Sequence, residues 1–150
     1  MRIIIGSDHA GYRLKEQIKK SLLKTKHKVI DAGTGDLESC DYPEYGVKAA
    51  RAVSLKKVDR GILICGTGIG MSMVANKLPG IRAALCHNMK GACLSREHNN
   101  ANILVLAARF TSKDLAVRIT MLWLKTGFHG GRHRRRLKKL TAIEKSKNTW

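Results

Sequence analysis

Short apolar runs rich in β-formers alternate with helix-spaced amphipathic stretches along the chain. Ile3-Ile4-Ile5 predicts a first strand. Tyr12 to Leu23 follows, with Leu14, Ile18 and Leu22 recurring every fourth residue and Lys or Arg on the other faces, which predicts an amphipathic helix. Lys28 to Ala32 predicts a second strand, closed by Gly33 and Gly35. The Asp41-Tyr42-Pro43 turn leads into a helix over Glu44 to Ser54. Gly61-Ile62-Leu63-Ile64-Cys65 is apolar throughout, as expected of a parallel strand covered on both faces. Gly66-Thr67-Gly68-Ile69-Gly70 follows and leads into a short helix, Met71 to Lys77. Arg82 to Cys86 predicts a fourth strand, Lys90 to Glu97 a helix, and Ile103 to Ala107 a fifth strand. Ser112 caps a helix through Leu124 whose stripe is Leu115, Ile119 and Leu122. Gly127 to Gly131 breaks the chain, and Arg132 to Ser146 predicts a last, very basic helix.

This alternation argues for an α/β fold: a three-layer αβα, Rossmann-like open parallel five-stranded sheet with helices on both sides. With 150 residues and no internal repeat, linker or low-complexity region, one domain over 1–150 is expected, with its basic helix at about 132–146. In such sheets ligands bind outside the carboxyl ends of the strands. That rim would carry Ser7-Asp8-His9, Asp31 onward, Cys65 to Gly70, Cys86-His87-Asn88 and Ala108-Arg109.

Composition narrows the picture further. Hydrophobic residues make up 43% and charged residues 27%, which excludes a collagen-like or largely disordered chain. The longest apolar stretch, Ile103 to Ala108, is far short of the ~20 residues of a membrane span. The amino terminus turns polar at Ser7-Asp8-His9, without the apolar core of a signal peptide, so a cytoplasmic location is expected. The four cysteines, at 40, 65, 86 and 93, form no Cys-x-x-Cys, and the histidines supply no zinc-finger spacing. They are expected to be reduced thiols. The net charge of +18 is unusual, and the last 26 residues hold nine basic residues against one acid. Such a field attracts nucleic acid, acidic surfaces or phosphorylated metabolites.

The most informative segment is Cys65-Gly66-Thr67-Gly68-Ile69-Gly70. Glycines after a buried strand let the backbone approach a ligand and aim N–H groups at an anion. The dinucleotide fingerprint is poorly matched, because Met71 stands where its third glycine belongs and no acid follows ~20 residues on. A nucleotide-phosphate loop is likewise unsupported. A tight turn with no ligand is the bland alternative. Cys65 ends the strand and faces the positive end of the next helix, a setting that favours the thiolate. A small buried core residue is the competing reading. His9 and His98 lie among polar neighbours at element ends, where imidazole can exchange protons. Arg132 and Arg136 are four apart, share a helix face and can converge on one phosphate. A solvated charge run and a nucleic-acid stripe compete, but no aromatic residues interleave with the run to stack bases, which disfavours nucleic acid.

Taken in order, several segments resemble the type B ribose-5-phosphate isomerase family. They are Gly6-Ser7-Asp8-His9-Ala10-Gly11, Asp41-Tyr42-Pro43, Gly61 to Gly70, Ala75-Asn76-Lys77, Leu94-Ser95-Arg96-Glu97-His98-Asn99, Arg109 and Gly130-Gly131-Arg132-His133. The resemblance runs from residue 2 to about 145. It implies an aldose–ketose isomerase of the pentose phosphate pathway interconverting ribose 5-phosphate and ribulose 5-phosphate through an enediolate. It also implies that no metal or nucleotide cofactor is used. Carried over, it makes Cys65 the base between C1 and C2, with Thr67 assisting the hydroxyl protons. The amides of Gly66, Gly68, Ile69 and Gly70 would hold the enediolate oxygen. His98 would assist ring opening, Asp8 and Asn99 would bind sugar hydroxyls, and Tyr42 would lie near the ring. His9, Arg109, Arg132 and Arg136 would hold the phosphate. The resemblance further implies a homodimer or homotetramer with shared sites, so that Arg109 and His98-Asn99 would reach a neighbour's site. Allose 6-phosphate and galactose 6-phosphate are the alternative substrates, because sugar length depends on pocket depth. Arg134, Arg135, Lys138 and Lys139 exceed what one phosphate requires. A solvated face, pairing with another subunit and weak polyanion binding all remain open for them.

Overall fold

The computed structural model describes residues 1–146, so the last four residues of the expected 1–150 unit lie outside the described residues. Among the described residues are five strands, β1 (Arg2–Ser7), β2 (Lys28–Asp31), β3 (Arg60–Cys65), β4 (Ala83–Leu85) and β5 (Ile103–Ala107). They alternate with helices α1 (Tyr12–Leu23), α2 (Tyr42–Ser54), α3 (Ile69–Asn76), α4 (Met89–Glu97), α5 (Lys113–Lys125) and α6 (Gly131–Lys145). All strand pairs are parallel, in the order β2-β1-β3-β5-β4. The expected three-layer αβα fold is therefore what the chain forms.

The apolar runs explain the order. β3 beyond Arg60 and all of β5 are buried, as is β1 beyond Arg2, because both faces are covered by helices. The edge strands β2 and β4 keep partial exposure and can carry Lys28 and Asp31. One face packs Leu14, Ile18 and Leu22 of α1 with Ala116, Ile119 and Trp123 of α5. The other packs Ala49, Ala50 and Val53 of α2 with Met71 and Ala75 of α3. Each fully buried aliphatic side chain contributes roughly 1.5–3 kcal/mol. The chain leaves β1 and β3 toward opposite faces, which opens a crevice at their carboxyl ends, the usual ligand position of open α/β sheets.

Several boundaries differ from the pattern-based expectation. α2 begins at Tyr42, ahead of the expected Glu44, because Pro43 needs no N–H in a first helical turn. α3 begins at Ile69, ahead of Met71, because Gly68 takes the left-handed conformation at its N-cap, with φ 76°. β4 is shorter than Arg82–Cys86, although Cys86 N–H still donates to Val105 O at 3.1 Å. Ser112 caps α5 as expected, accepting from Leu115 N–H.

Lys15 departs most from the reading. Helix periodicity puts it on the polar side of α1, yet it is 1% exposed. Its Nζ donates to Asp31 Oδ2 at 2.7 Å, lies 3.0 Å from Glu16 and sits 5.3 Å from the Tyr12 ring centroid. Periodicity marks the side of a helix but not the acid across the gap that makes burial tolerable. Burial alone would raise the Asp31 pKa, but hydrogen bonds from Lys15 and Lys19 outweigh it and hold the carboxyl below its ordinary value.

Asp31→Asn should cost about 2 kcal/mol at neutral pH, the scale of a lost charge-assisted hydrogen bond. Because the folded pKa is depressed, this contribution is complete above the unfolded pKa and is lost as pH falls through the folded one. Urea midpoints of the two proteins should separate at neutral pH and converge in strong acid. A gap that persisted in acid would assign the effect to packing instead.

Candidate active site

At the carboxyl end of β3 the buried Cys65 sulfur accepts a hydrogen bond from Gly68 N–H at 3.1 Å. That geometry requires the left-handed turn at Gly68. A Cβ there would lie 2.4 Å from Leu85 Cδ1 and 3.3 Å from Leu106 O. An amide donor aimed at sulfur is an interaction that a thiolate accepts better than a thiol does. Thr67 is half-buried and its Oγ1 accepts from Ile69 N–H at 3.3 Å. The first-turn amides of α3, including Gly70, have no intrahelical acceptor and form the positive end of the helix.

Neighbouring elements place the remaining rim residues. Ala108 N–H donates to Cys65 O at 2.9 Å and Arg109 N–H to Gly66 O at 3.0 Å, extending the β3–β5 ladder past the strand ends. This lays the Arg109 guanidinium over Gly66, where a Cβ would lie 3.2 Å from Nε. Arg109 thus sits against its own chain's loop. Asp8 is buried and its Oδ1 accepts from Gly11 N–H at 2.9 Å, which turns the chain into α1. His9 Nδ1 accepts from Cys40 N–H at 3.2 Å, so a neutral His9 carries its proton on Nε2. The Tyr42 ring covers Gly70, whose added Cβ would fall 2.6 Å from Cζ. Asp8, His9, Tyr42, Cys65, Gly66, Thr67, Gly68, Ile69, Gly70 and Arg109 therefore share one rim.

The other expected site residues gather elsewhere in the same chain. α4 leaves the carboxyl end of β4 and runs back to the amino end of β5. His98 and Asn99, at its carboxyl terminus, consequently lie at the opposite end of the sheet from Cys65. The His98 ring stacks on His133 of α6, with centroids 4.2 Å apart and planes 9° apart. Arg132 and Arg136 are exposed on either side of His133 along α6. Burial first, then the charges of His98, Arg132, Arg136 and His129, pull the His133 pKa down. The sequence reading gave His133 no role. The spacing of His133, Leu137, Leu140 and Glu144 on one helix face was the available signal. Arg96, nearly buried against the Trp123 ring, braces this segment through Thr126 O at 3.2 Å and Asn100 Oδ1 at 2.9 Å. Burial, with like charge from Arg60 and Arg82, brings its pKa down to about 10, so it stays charged at neutral pH.

The other thiols are different. Burial pushes the Cys86 thiol up, and a hydrogen bond with Glu97 pushes Cys93 up. All four cysteines are free. No helix among the described residues is long and apolar enough to cross a membrane.

An open parallel αβα sheet with a thiol, glycine amides and a guanidinium at one crevice defines an α/β protein of the class that binds ligands at the carboxyl ends of its strands. Residues 3–140 match the ribose/galactose isomerase family, and the chain belongs to it. It is 45% identical over 147 residues to ribose-5-phosphate isomerase B of Escherichia coli, covering 98% of this chain and 99% of that one. The structure of ribose-5-phosphate isomerase B from Clostridium thermocellum superposes with a TM-score of 0.97 at 54% identity, covering 99% and 100% of the two chains. That of the Mycoplasma genitalium enzyme with bound ribulose-5-phosphate gives 0.93 at 41% identity, covering 97% of each.

Gly68→Ala should lower stability by more than the ~1–2 kcal/mol of a side chain in the left-handed region, because the Cβ also overpacks against Leu85. Gly35→Ala, whose Cβ would meet nothing within 4 Å, should stay within about 0.5 kcal/mol of wild type. Equal denaturation midpoints for the two variants would remove the constraint placed on this turn.

Proposed function

We propose that the protein is an aldose–ketose isomerase interconverting D-ribose 5-phosphate and D-ribulose 5-phosphate. The observation that carries this reading is the Cys65 sulfur at the tip of β3, held by the Gly68 amide beside the first turn of α3. The thiolate takes the C2 proton of the open-chain aldose. The C2–H electron pair becomes the C1–C2 double bond and the carbonyl pair moves to O1, giving an enediolate. Return of the proton to C1, with loss of the O2 hydroxyl proton, gives the ketose. Thr67 passes the hydroxyl proton between the two oxygens. Oriented amides from Gly66 to Gly70 stabilise the charge on oxygen without reorganising, a class of interaction worth ~3 kcal/mol per donor in other enzymes. The phosphate is remote from the reacting carbons, so its binding energy goes into positioning the sugar.

The two clusters at opposite ends of the sheet favour a site shared between two copies of the chain. One copy supplies Asp8, His9, Tyr42, Cys65, Thr67, the glycine loop and Arg109. The other supplies His98 for ring opening, Asn99 for a sugar hydroxyl, and Arg132 and Arg136 for the phosphate. Guanidinium suits that last task because it makes paired hydrogen bonds. A five-carbon substrate is the choice in keeping with the ribose-5-phosphate isomerase B relatives, and the same reading has the chain act in the cytoplasm as a homodimer or homotetramer of one domain over 1–150.

Cys65→Ala should reduce kcat about 10²–10⁴-fold, the range of general-base catalysis, with an unchanged far-ultraviolet circular dichroism spectrum. The assay follows ribulose 5-phosphate formed from ribose 5-phosphate without added metal. Full turnover in that variant would remove Cys65 from the chemistry. For the shared site, Cys65→Ala and His98→Ala chains should be unfolded, mixed and refolded together. Half of a random mixture is heterodimer with one intact site of two, so about a quarter of wild-type turnover should return. Additive residual rates alone would place both residues in one chain's site.

A further inference from the structure

We propose that Glu97, His98 and His129 form a binding site for a zinc-class divalent transition ion, at the opposite end of the sheet from the same chain's Cys65. Each residue offers one donor atom, and these atoms all lie within 4.8 Å of one another. His129 Nε2 and Glu97 Oε1 are 3.4 Å apart. Two ligands bound at ~2.0–2.1 Å with a tetrahedral angle stand roughly 3.4 Å apart, so this pair already has the spacing that one zinc ion requires.

The backbone holds the three residues in place without an ion. His129 N–H donates to Glu97 O at 3.1 Å, which ties the glycine-rich turn before α6 to the end of α4. His98 N–H donates to Leu94 O at 2.9 Å, and its ring is backed by the parallel ring of His133. Two imidazoles and a carboxylate suit zinc and its neighbours, whereas magnesium and calcium favour all-oxygen sets. Three protein donors leave a fourth position to water, and His129, 60% exposed at its side chain, leaves the ion a way in.

Ion binding would occupy a ring nitrogen of His98. On the reading of His98 given above, zinc then withdraws the ring-opening group and lowers turnover. This consequence rests on that reading, whereas the binding does not.

The test uses the full chain in its native assembly, stripped of metal. Zinc is titrated against a chromogenic chelator, and cobalt(II) serves as a visible probe of ligand type. Wild type should bind one equivalent through nitrogen and oxygen donors, without a thiolate-to-cobalt charge-transfer band. His129→Ala and Glu97→Gln should each weaken binding at least about tenfold. His129→Ala should keep wild-type basal turnover and lose its sensitivity to zinc. Absence of binding, undiminished affinity in His129→Ala, or a charge-transfer band abolished by Cys65→Ala would each overturn the site. Binding that depends on His129 yet leaves wild-type turnover unchanged would uphold the site and overturn the role given to His98.

Discussion

The left-handed turn at Gly68 is the constraint on which the rest of the site depends. It converts the end of β3 into the start of α3 within three residues and points the Gly68 N–H back at the Cys65 sulfur. Leu85 of β4 and Leu106 of β5 press on the turn, leaving no room for a side chain. The same compression brings the first-turn amides of α3, the Gly66 carbonyl and the Arg109 guanidinium to one crevice. On the proposed role of Cys65, the thiol needs a donor that moves little during reaction, and a backbone amide locked by packing meets that need.

Around this turn the fold spends its buried charges on bracing. Lys15 and Asp31 join α1 to the end of β2, next to the loop that leads to Cys40 and His9. Arg96, under Trp123, gathers the Ala101 carbonyl ahead of β5 and the Thr126 carbonyl that ends α5. Both cations are buried where several acceptors converge, the condition under which an interior charge is tolerated. Seven further basic residues lie exposed along α6. Their field favours a phosphorylated ligand at long range.

The opposite placement of the two functional clusters follows from handed parallel topology. A crossover helix starts at the carboxyl end of one strand and must return to the amino end of the next. Residues that open such a helix join the crevice, and residues that close it join the far end. His98 and Asn99 close α4, while Ile69 and Gly70 open α3. A second copy of the chain is one way to reunite them. The far end gains chemistry of its own, because the turn at His129 docks on Glu97 and assembles a donor set from distant parts of the chain.

The strand–helix alternation, the central apolar strands and the glycine turn after Cys65 were all legible in the amino-acid sequence. Periodicity and glycine placement are local, and they encode which face is covered and where the backbone must bend. The family resemblance likewise rested on ordered local motifs. Strand order, the burial of Lys15, the stacking of His133 on His98 and the meeting of Glu97 with His129 were decided only in the tertiary structure. Each depends on partners distant along the chain or on the end of the sheet to which a helix returns. No local spacing records that information, because long-range strand pairing and packing select it.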